Sequence, residues 1–292
     1  MNPLPENLRH LYPFGPLSFA TPSGARMSFV DAGPRSDAAV LMLHGNPTWS
    51  FYYARLIQRL AHARRCVAPD HVGMGLSEKP PAALNLENRV ADILALVETL
   101  ALKKLDLVLH DWGGAIGLGL ATRRPELVNR IVLLNTAAFP LPRIPLRIAL
   151  CKTRALGPFL VRSLNAFARP ATWMAMRRRR LSTDEKHALL FPYRDAPSRA
   201  AIAAFVRDIP MSPRHPSWNT LNSIADNLPL LADKPVHLHW AGADFCFNRL
   251  FLDEWRRRFP NASVAEYPDA GHYLLLDADA EILPRLERQL VP

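Results

Sequence analysis

The chain has 292 residues, 49% hydrophobic and 21% charged, which is enough to bury a sizeable core and excludes disorder and low complexity. Its longest apolar runs, such as Ala91–Leu102 and Ile131–Phe139, are broken by Asp92, Glu98 or Asn135 well before the roughly 20 residues of a bilayer helix. The start, MNPLPENLRHLYPFGP, lacks the apolar core of an export signal, so a cytoplasmic location is expected. The net charge of +10 comes without a zinc-finger, helix-turn-helix or RNP-type pattern, so no nucleic-acid partner is expected.

Short apolar runs alternate with helical patterns along the first half. Met27–Asp31 and Val40–His44 read as strands, Phe51–Ala63 as a helix, Cys66–Pro69 as a strand and Leu86–Leu102 as a longer helix. Strand Leu105–His110 meets Gly113 and Gly114, which open a helix reaching about Arg124 and closed by Pro125; Arg130–Asn135 is the next buried strand. Between Ala137 and about Leu221 the pattern turns into Pro-, Arg- and aromatic-rich helical pieces. This predicts a helical cap (137–221) inserted into a core made of residues 1–136 and 222–292. Aromatic residues of the cap, Phe139, Phe159, Phe167, Trp173 and Phe205 among them, are available to line a cavity or to pack on the sheet. From Pro140 to Thr220 fifteen Lys or Arg face four acids, a local charge of +11, while the rest of the chain sums to −1. The run Arg177–Arg180 reads as a solvated helix face, or as a dock for an anionic membrane or an acidic partner. Strands resume at Pro235–Trp240 and Ser263–Tyr267, with helices at Leu250–Arg258 and Ala280–Leu290. The alternation predicts an α/β fold with a mostly parallel sheet covered by helices on both faces. Cys66, Cys151 and Cys246 are too few and too scattered for a disulfide framework or a metal site, and no cofactor is expected.

The strongest chemical signal is Leu107–Gly114, a buried strand that ends in Asp111 at a glycine-flanked turn into a helix. That is a nucleophile elbow with Asp in place of Ser and with Leu109 in place of the first glycine of G-x-S-x-G. A carboxylate is already a nucleophile at neutral pH and suits displacement at saturated carbon, the product being an ester on the enzyme. The plain alternative for Asp111 is a helix N-cap. A histidine must stand beside such a group to activate water against the ester, and His272 in Asp269-Ala-Gly-His272 is the best placed of ten. His44, His71 and His110 are the rivals. In this kind of fold the orienting acid falls between nucleophile and histidine. Asp244, at the end of a strand, fills that slot, whereas the end of strand Arg130–Asn135 offers Asn135 and no carboxylate. Backbone N–H groups of Asn46 and Trp112 are placed to form an oxyanion hole, and the Asn46 amide and Trp112 indole to hold a leaving anion.

Together HGNPTWS (His44–Ser50), DHVGMGLS (Asp70–Ser77), HDWGG (His110–Gly114) and DAGHY (Asp269–Tyr273) resemble the haloalkane dehalogenases, and the cap segment Phe205–Met211 looks similar too. The resemblance implies an α/β-hydrolase fold, Asp111 as nucleophile, His272 as base, Asp244 as acid, and Asn46 with Trp112 as the anion-stabilising pair. The late acid and Asn46 look like the third dehalogenase subfamily. That subfamily is similar to the β-lactone decarboxylases of bacterial long-chain olefin biosynthesis, and the stretches Leu134–Pro140, Arg143–Cys151 and Asp244–Phe247 look more like that group. The implied activity is conversion of a cis-3,4-dialkyl β-lactone to a cis-alkene and carbon dioxide. The first alternative is hydrolysis of haloalkanes. Epoxide hydrolysis is a second, although Tyr193 is the only tyrosine between Pro140 and Thr220 where paired tyrosines are needed. A ligand-binding protein without activity is the non-enzyme reading. The implied partners are a hydrophobic small molecule, other enzymes of olefin biosynthesis, and an anionic membrane touched through the basic cap.

Overall fold

The computed structural model describes residues 4–80, 84–140 and 144–291. Residues 1–3 of the N-terminal stretch and Arg143 of the decarboxylase-like stretch lie outside the described residues. Eight strands form one sheet: β1 (Leu17–Ala20), β2 (Arg26–Ala32), β3 (Ala38–Leu43), β4 (Arg65–Pro69), β5 (Lys104–Asp111), β6 (Val128–Thr136), β7 (Val236–Ala241) and β8 (Ser263–Tyr267), in the order β1-β2-β4-β3-β5-β6-β7-β8. β2 runs antiparallel to both β1 and β4, and every other pair is parallel. The central strands β3, β5 and β6 are buried almost end to end, which is why they read as apolar runs without alternation. β1 escaped the sequence reading because its four residues are mostly exposed and carry no buried face to set a period.

Helix α1 (Ala54–Leu60) packs with the C-terminal helix α12 (Asp279–Leu290), and α2 (Leu86–Thr99) packs with α3 (Trp112–Arg123). α2 starts at Asn85, whose side-chain oxygen accepts from the Asn88 N–H at 3.0 Å while Asn88 returns the bond to the Asn85 N–H at 3.1 Å. Between β6 and β7 lie α4 (Leu146–Lys152), α5 (Leu156–Pro158) leading into a π turn (Phe159–Ser163), α6 (Ala168–Met174), α7 (Thr183–Leu190), α8 (Ala200–Arg207) and α9 (Trp218–Asn227). α9 packs on α3 and α2, and residue 221 falls inside it, so the boundary expected there cuts through one helix. The remaining helices are α10 (Arg249–Arg258) and the short α11 (Leu274–Asp277). Among the described residues no helix is long and apolar enough to cross a membrane.

The run Arg177–Arg180 is not a helix and is only partly solvated. Arg178 pairs with Asp269 (2.6 Å) and Glu281 (2.6 Å), and Arg179 with Glu185 (2.7 Å) and the Leu276 carbonyl (2.7 Å). The backbone N–H groups of Arg177, Arg178 and Arg179 all donate to the Asp277 carboxylate, at 2.9, 3.0 and 3.2 Å. Half of the run is thus spent on holding the cap to the core. Apart from Glu185, the acids that hold it lie about 90–100 residues away in sequence.

Candidate active site

Asp111 ends β5 with φ 52° and ψ −124°, a left-handed conformation that costs a non-glycine residue on the order of 1–3 kcal/mol. The turn is possible because its neighbours have no side chains. A Cβ on Gly113 would collide with the Leu43 carbonyl oxygen, one on Gly114 with the Thr136 hydroxyl, and one on Gly45 with the Asp111 carboxylate itself. The larger Leu109, standing where the elbow usually has glycine, is received by Gly117 of α3, where an added Cβ would strike the Leu109 methyl groups.

The elbow aims the Asp111 carboxylate into a group of residues gathered from the C-terminal ends of the parallel strands. Oδ1 accepts the backbone N–H of Asn46, after β3, at 2.8 Å and that of Trp112 at 2.7 Å. Oδ2 is left facing His272 Nε2 at 3.6 Å. His272, after β8, donates from Nδ1 to Asp244 Oδ2 at 2.8 Å, and Asp244, after β7, accepts the Cys246 N–H on Oδ1 at 2.6 Å. All three ionisable groups are buried. Burial raises the Asp111 pKa, outweighing the pull of His272 and of the two backbone donors. Burial opposes the charged imidazole of His272, but the Asp244 carboxylate, with Asp111 behind it, overcomes it and raises the His272 pKa.

The rival histidines serve the backbone. His44 bonds the Gly45 carbonyl at 2.8 Å and accepts the His71 N–H at 3.0 Å; His71 bonds the His44 carbonyl at 2.9 Å; His110 bonds the His272 carbonyl at 2.9 Å. Burial drives His44 down to about 4 and lowers His71 and His110 as well, so all three are neutral struts. Asn135, at the other acid slot, grips the backbone of Ala241 from both sides (2.7 and 3.1 Å) and so fixes the end of β7 that leads to Asp244. The Asn46 side chain donates to the Ile202 carbonyl of α8 at 3.2 Å, bracing the cap while it lines the cavity. The Trp112 ring meets Phe205 edge to face at 5.4 Å, and its indole N–H has no partner among the described residues.

Two apolar lobes open from Asp111. The first, about 130 Å³, is bounded by Leu86, Trp112, Phe139, Val206 and Leu221; the second, about 290 Å³, by Leu150, Leu160, Ala171, Met174 and Phe245. Asn46, Asp111, Ile148, Phe167 and Cys246 border both. Of the cap aromatics, Phe139 and Phe167 line the cavity and Phe205 packs behind it, whereas Phe159 and Trp173 turn to solvent.

Two residues escaped the sequence reading. Cys246, given no role of its own within the Asp244–Phe247 stretch, borders both lobes and donates its backbone N–H to Asp244; its place two residues after the acid is the available signal. Asp277 accepts the Gly271 N–H at 2.6 Å besides the three arginine N–H groups, and Tyr273 donates its N–H to the Ala175 carbonyl at 2.9 Å. The loop that carries His272 is therefore clamped to the cap on either side of the imidazole. No local pattern announces this.

Residues 38–279 match the model of the alpha/beta hydrolase fold family. The chain belongs to that family. It is 38% identical to the cis-3-alkyl-4-alkyloxetan-2-one decarboxylase of Shewanella oneidensis, over 92% of this chain and 86% of the relative. It is also 38% identical to the enzyme of the same name from Xanthomonas campestris pv. campestris, over 94% and 95%. Among solved structures, a loop variant of a haloalkane dehalogenase from Bradyrhizobium elkanii superposes with a TM-score of 0.83 at 23% identity, covering 94% of this chain and 96% of the other, a likeness of fold alone. This α/β-hydrolase thus places an aspartate where others of the fold place serine, under a cap that splits its cavity in two.

Proposed function

We propose that the chain is a β-lactone decarboxylase that converts cis-3,4-dialkyl oxetan-2-ones to cis-alkenes and carbon dioxide. The observation that carries this reading is the pair of apolar lobes diverging from Asp111. A ring with two neighbouring alkyl arms uses both, whereas a simple haloalkane has one arm to place. The names of the two relatives at 38% identity support it. In this reading residues 1–136 and 222–292 carry the chemistry and the cap, 137–221, shapes the lobes around a hydrophobic small molecule.

The chemistry balances without water. Asp111 Oδ2 attacks ring carbon 4 from the side opposite the ring oxygen; a C–O bond forms, the ring C–O bond breaks, and the ring oxygen leaves as a carboxylate on carbon 3. That carboxylate is held by the Asn46 amide and the Trp112 indole N–H. The bond from carbon 3 to the carboxylate then breaks, its electron pair becomes the C=C bond, and the Asp111 carboxylate departs from carbon 4. Inversion followed by anti loss keeps the two alkyl arms on one side, which is the cis product. The N–H groups on Oδ1 and a protonated His272 facing Oδ2, held by Asp244, stabilise Asp111 as a leaving group, each preorganised donor being worth about 10²–10³ in rate.

Haloalkane hydrolysis is the second reading, because the same anion donors suit halide. Epoxide hydrolysis lacks its acid: the Tyr193 hydroxyl donates to the Thr48 carbonyl (3.2 Å) and accepts the Gly75 N–H (3.1 Å), away from both lobes. The deciding experiment incubates the pure protein with a cis-3,4-dialkyl β-lactone and, separately, with a panel of bromoalkanes. Alkene in excess of bromide is expected. Bromide release that outpaces alkene formation overturns the decarboxylase in favour of the dehalogenase.

A further inference from the structure

We propose that the outer face of α4, α5, the π turn and α6 docks on an anionic membrane surface, from which the substrate enters the second lobe. Nine large apolar side chains are exposed among the described residues, and six of them fall within residues 146–173: Leu146, Leu150, Leu156, Phe159, Leu164 and Trp173. Leu146 is 85% exposed, while Ile148 and Cys151 of the same helix point inward, so α4 turns apolar groups to both sides. Such clustering is what a folded monomer avoids unless the face meets another apolar phase.

Charge names the phase. No Asp or Glu occurs between Glu126 and Asp184, and the face carries Arg147, Lys152, Arg154, Arg162 and Arg169 among its leucines and aromatics. Among the described residues none of these five makes an ion pair, in contrast to Arg178 and Arg179. Leucine, phenylalanine and tryptophan interleaved with unpaired cations are the composition of a helix lying in the headgroup layer. Arg147 and Leu150 belong both to this face and to the wall of the second lobe, and Arg147 reaches Met174 Sδ of α6 at 3.4 Å across it. The outer end of the lobe therefore lies where the face meets the bilayer. The need for such an entry rests on the decarboxylase reading, since a lactone with two long alkyl arms partitions into lipid; the docking itself does not.

Co-sedimentation with vesicles tests it, using phosphatidylcholine alone and phosphatidylcholine mixed with phosphatidylglycerol. The protein is expected to pellet with the anionic vesicles at least about tenfold more strongly. That binding should fade between about 0.1 M and 1 M salt, as the screening length falls from about 10 Å to about 3 Å. Leu146→Ser, Leu156→Ser and Phe159→Ser combined should lower vesicle binding about tenfold or more and leave turnover of a short, water-soluble dialkyl lactone unchanged. Arg154→Gln with Arg162→Gln should weaken binding more than Lys103→Gln with Lys104→Gln, an equal charge change at the opposite end of β5. Absence of wild-type binding at low salt, or undiminished binding by the serine variant, overturns the proposal. So does self-association without lipid that the serine variant abolishes, which would make the face a contact between copies. Vesicle binding needs no substrate and the soluble-lactone assay needs no vesicle, so failure of the docking and failure of the decarboxylase reading are told apart.

Discussion

The floor and the roof of this cavity are built by opposite means. On the floor, backbone N–H groups do the positioning: those of Asn46 and Trp112 hold the Asp111 carboxylate, and those of Gly271 and Tyr273 tie the His272 loop to the Asp277 carboxylate and the Ala175 carbonyl. Gly45, Gly113 and Gly114 leave no room there for even a methyl group. The roof, apart from its Asp277 and Ala175 clamp, is attached by side chains, through the buried Arg89–Asp208 pair (2.8 Å), the Arg55–Glu185 pair (2.9 Å) and the Arg178 and Arg179 ion pairs, and it is lined by ordinary apolar residues that others could replace. Backbone geometry changes little when side chains vary, so in the proposed mechanism the floor sets the reaction and the roof sets which molecule undergoes it.

The sharpest way to break this contrast is at the floor. Asp111→Asn should lower alkene formation by roughly 10⁴-fold or more with an unchanged circular dichroism spectrum, because the amide keeps the shape and loses the nucleophile. Persistent turnover would remove the mechanism. His272→Ala should separate the two readings. Lactone turnover should fall by about 10²–10³-fold, the loss of one donor, and still continue because no water is activated, whereas a haloalkane should stop after one turnover as an adduct visible by intact mass.

At the roof the effects should be smaller and selective. Val206→Phe narrows the first lobe and Ala171→Phe the second. Each is expected to cost about tenfold in kcat/KM for lactones with one long arm on that side, and little for the mirror arrangement of long and short arms. If both variants penalise the same arm, the lobes do not take one arm each. The clamp joins roof and floor. Asp277→Ala strands the buried Gly271 N–H, at about 1–3 kcal/mol if left dry, and frees three partly buried arginine N–H groups to water, so Tm should drop by several degrees and kcat should fall more than KM rises. A loss of Tm alone would make Asp277 structural only. The smallest effect is on pH. Asp111 must be ionised to attack, and burial raises its pKa, so kcat/KM should decline as pH falls through a midpoint above the ordinary carboxylate value of about 3.9.

Much of the floor was legible in the chain because it depends on local rules. Buried parallel strands are continuous apolar runs, and the elbow announces itself by an ionisable residue between such a run and a pair of glycines. Asp111, His272, Asp244, Asn46 and Trp112 all stand at strand ends and therefore meet at one edge of the sheet. The roof was less legible. The arginine run looked solvated because no acid lies within four residues of it except Asp184, whereas its partners Asp269, Asp277 and Glu281 come from the other end of the chain. Phe159 and Trp173 have the composition of core residues, and only packing turned them outward.

The sequence by itself determined the order of the elements from β2 to β6 and from β7 onward, the elbow and the residue types at the strand ends, since periodicity and turn chemistry act over a few neighbours. The tertiary structure alone decided the two lobes, the clamp through Asp277 and the exposed apolar face. Each of these depends on groups far apart in the chain, whose distances are set only when the helices of the cap settle on the sheet.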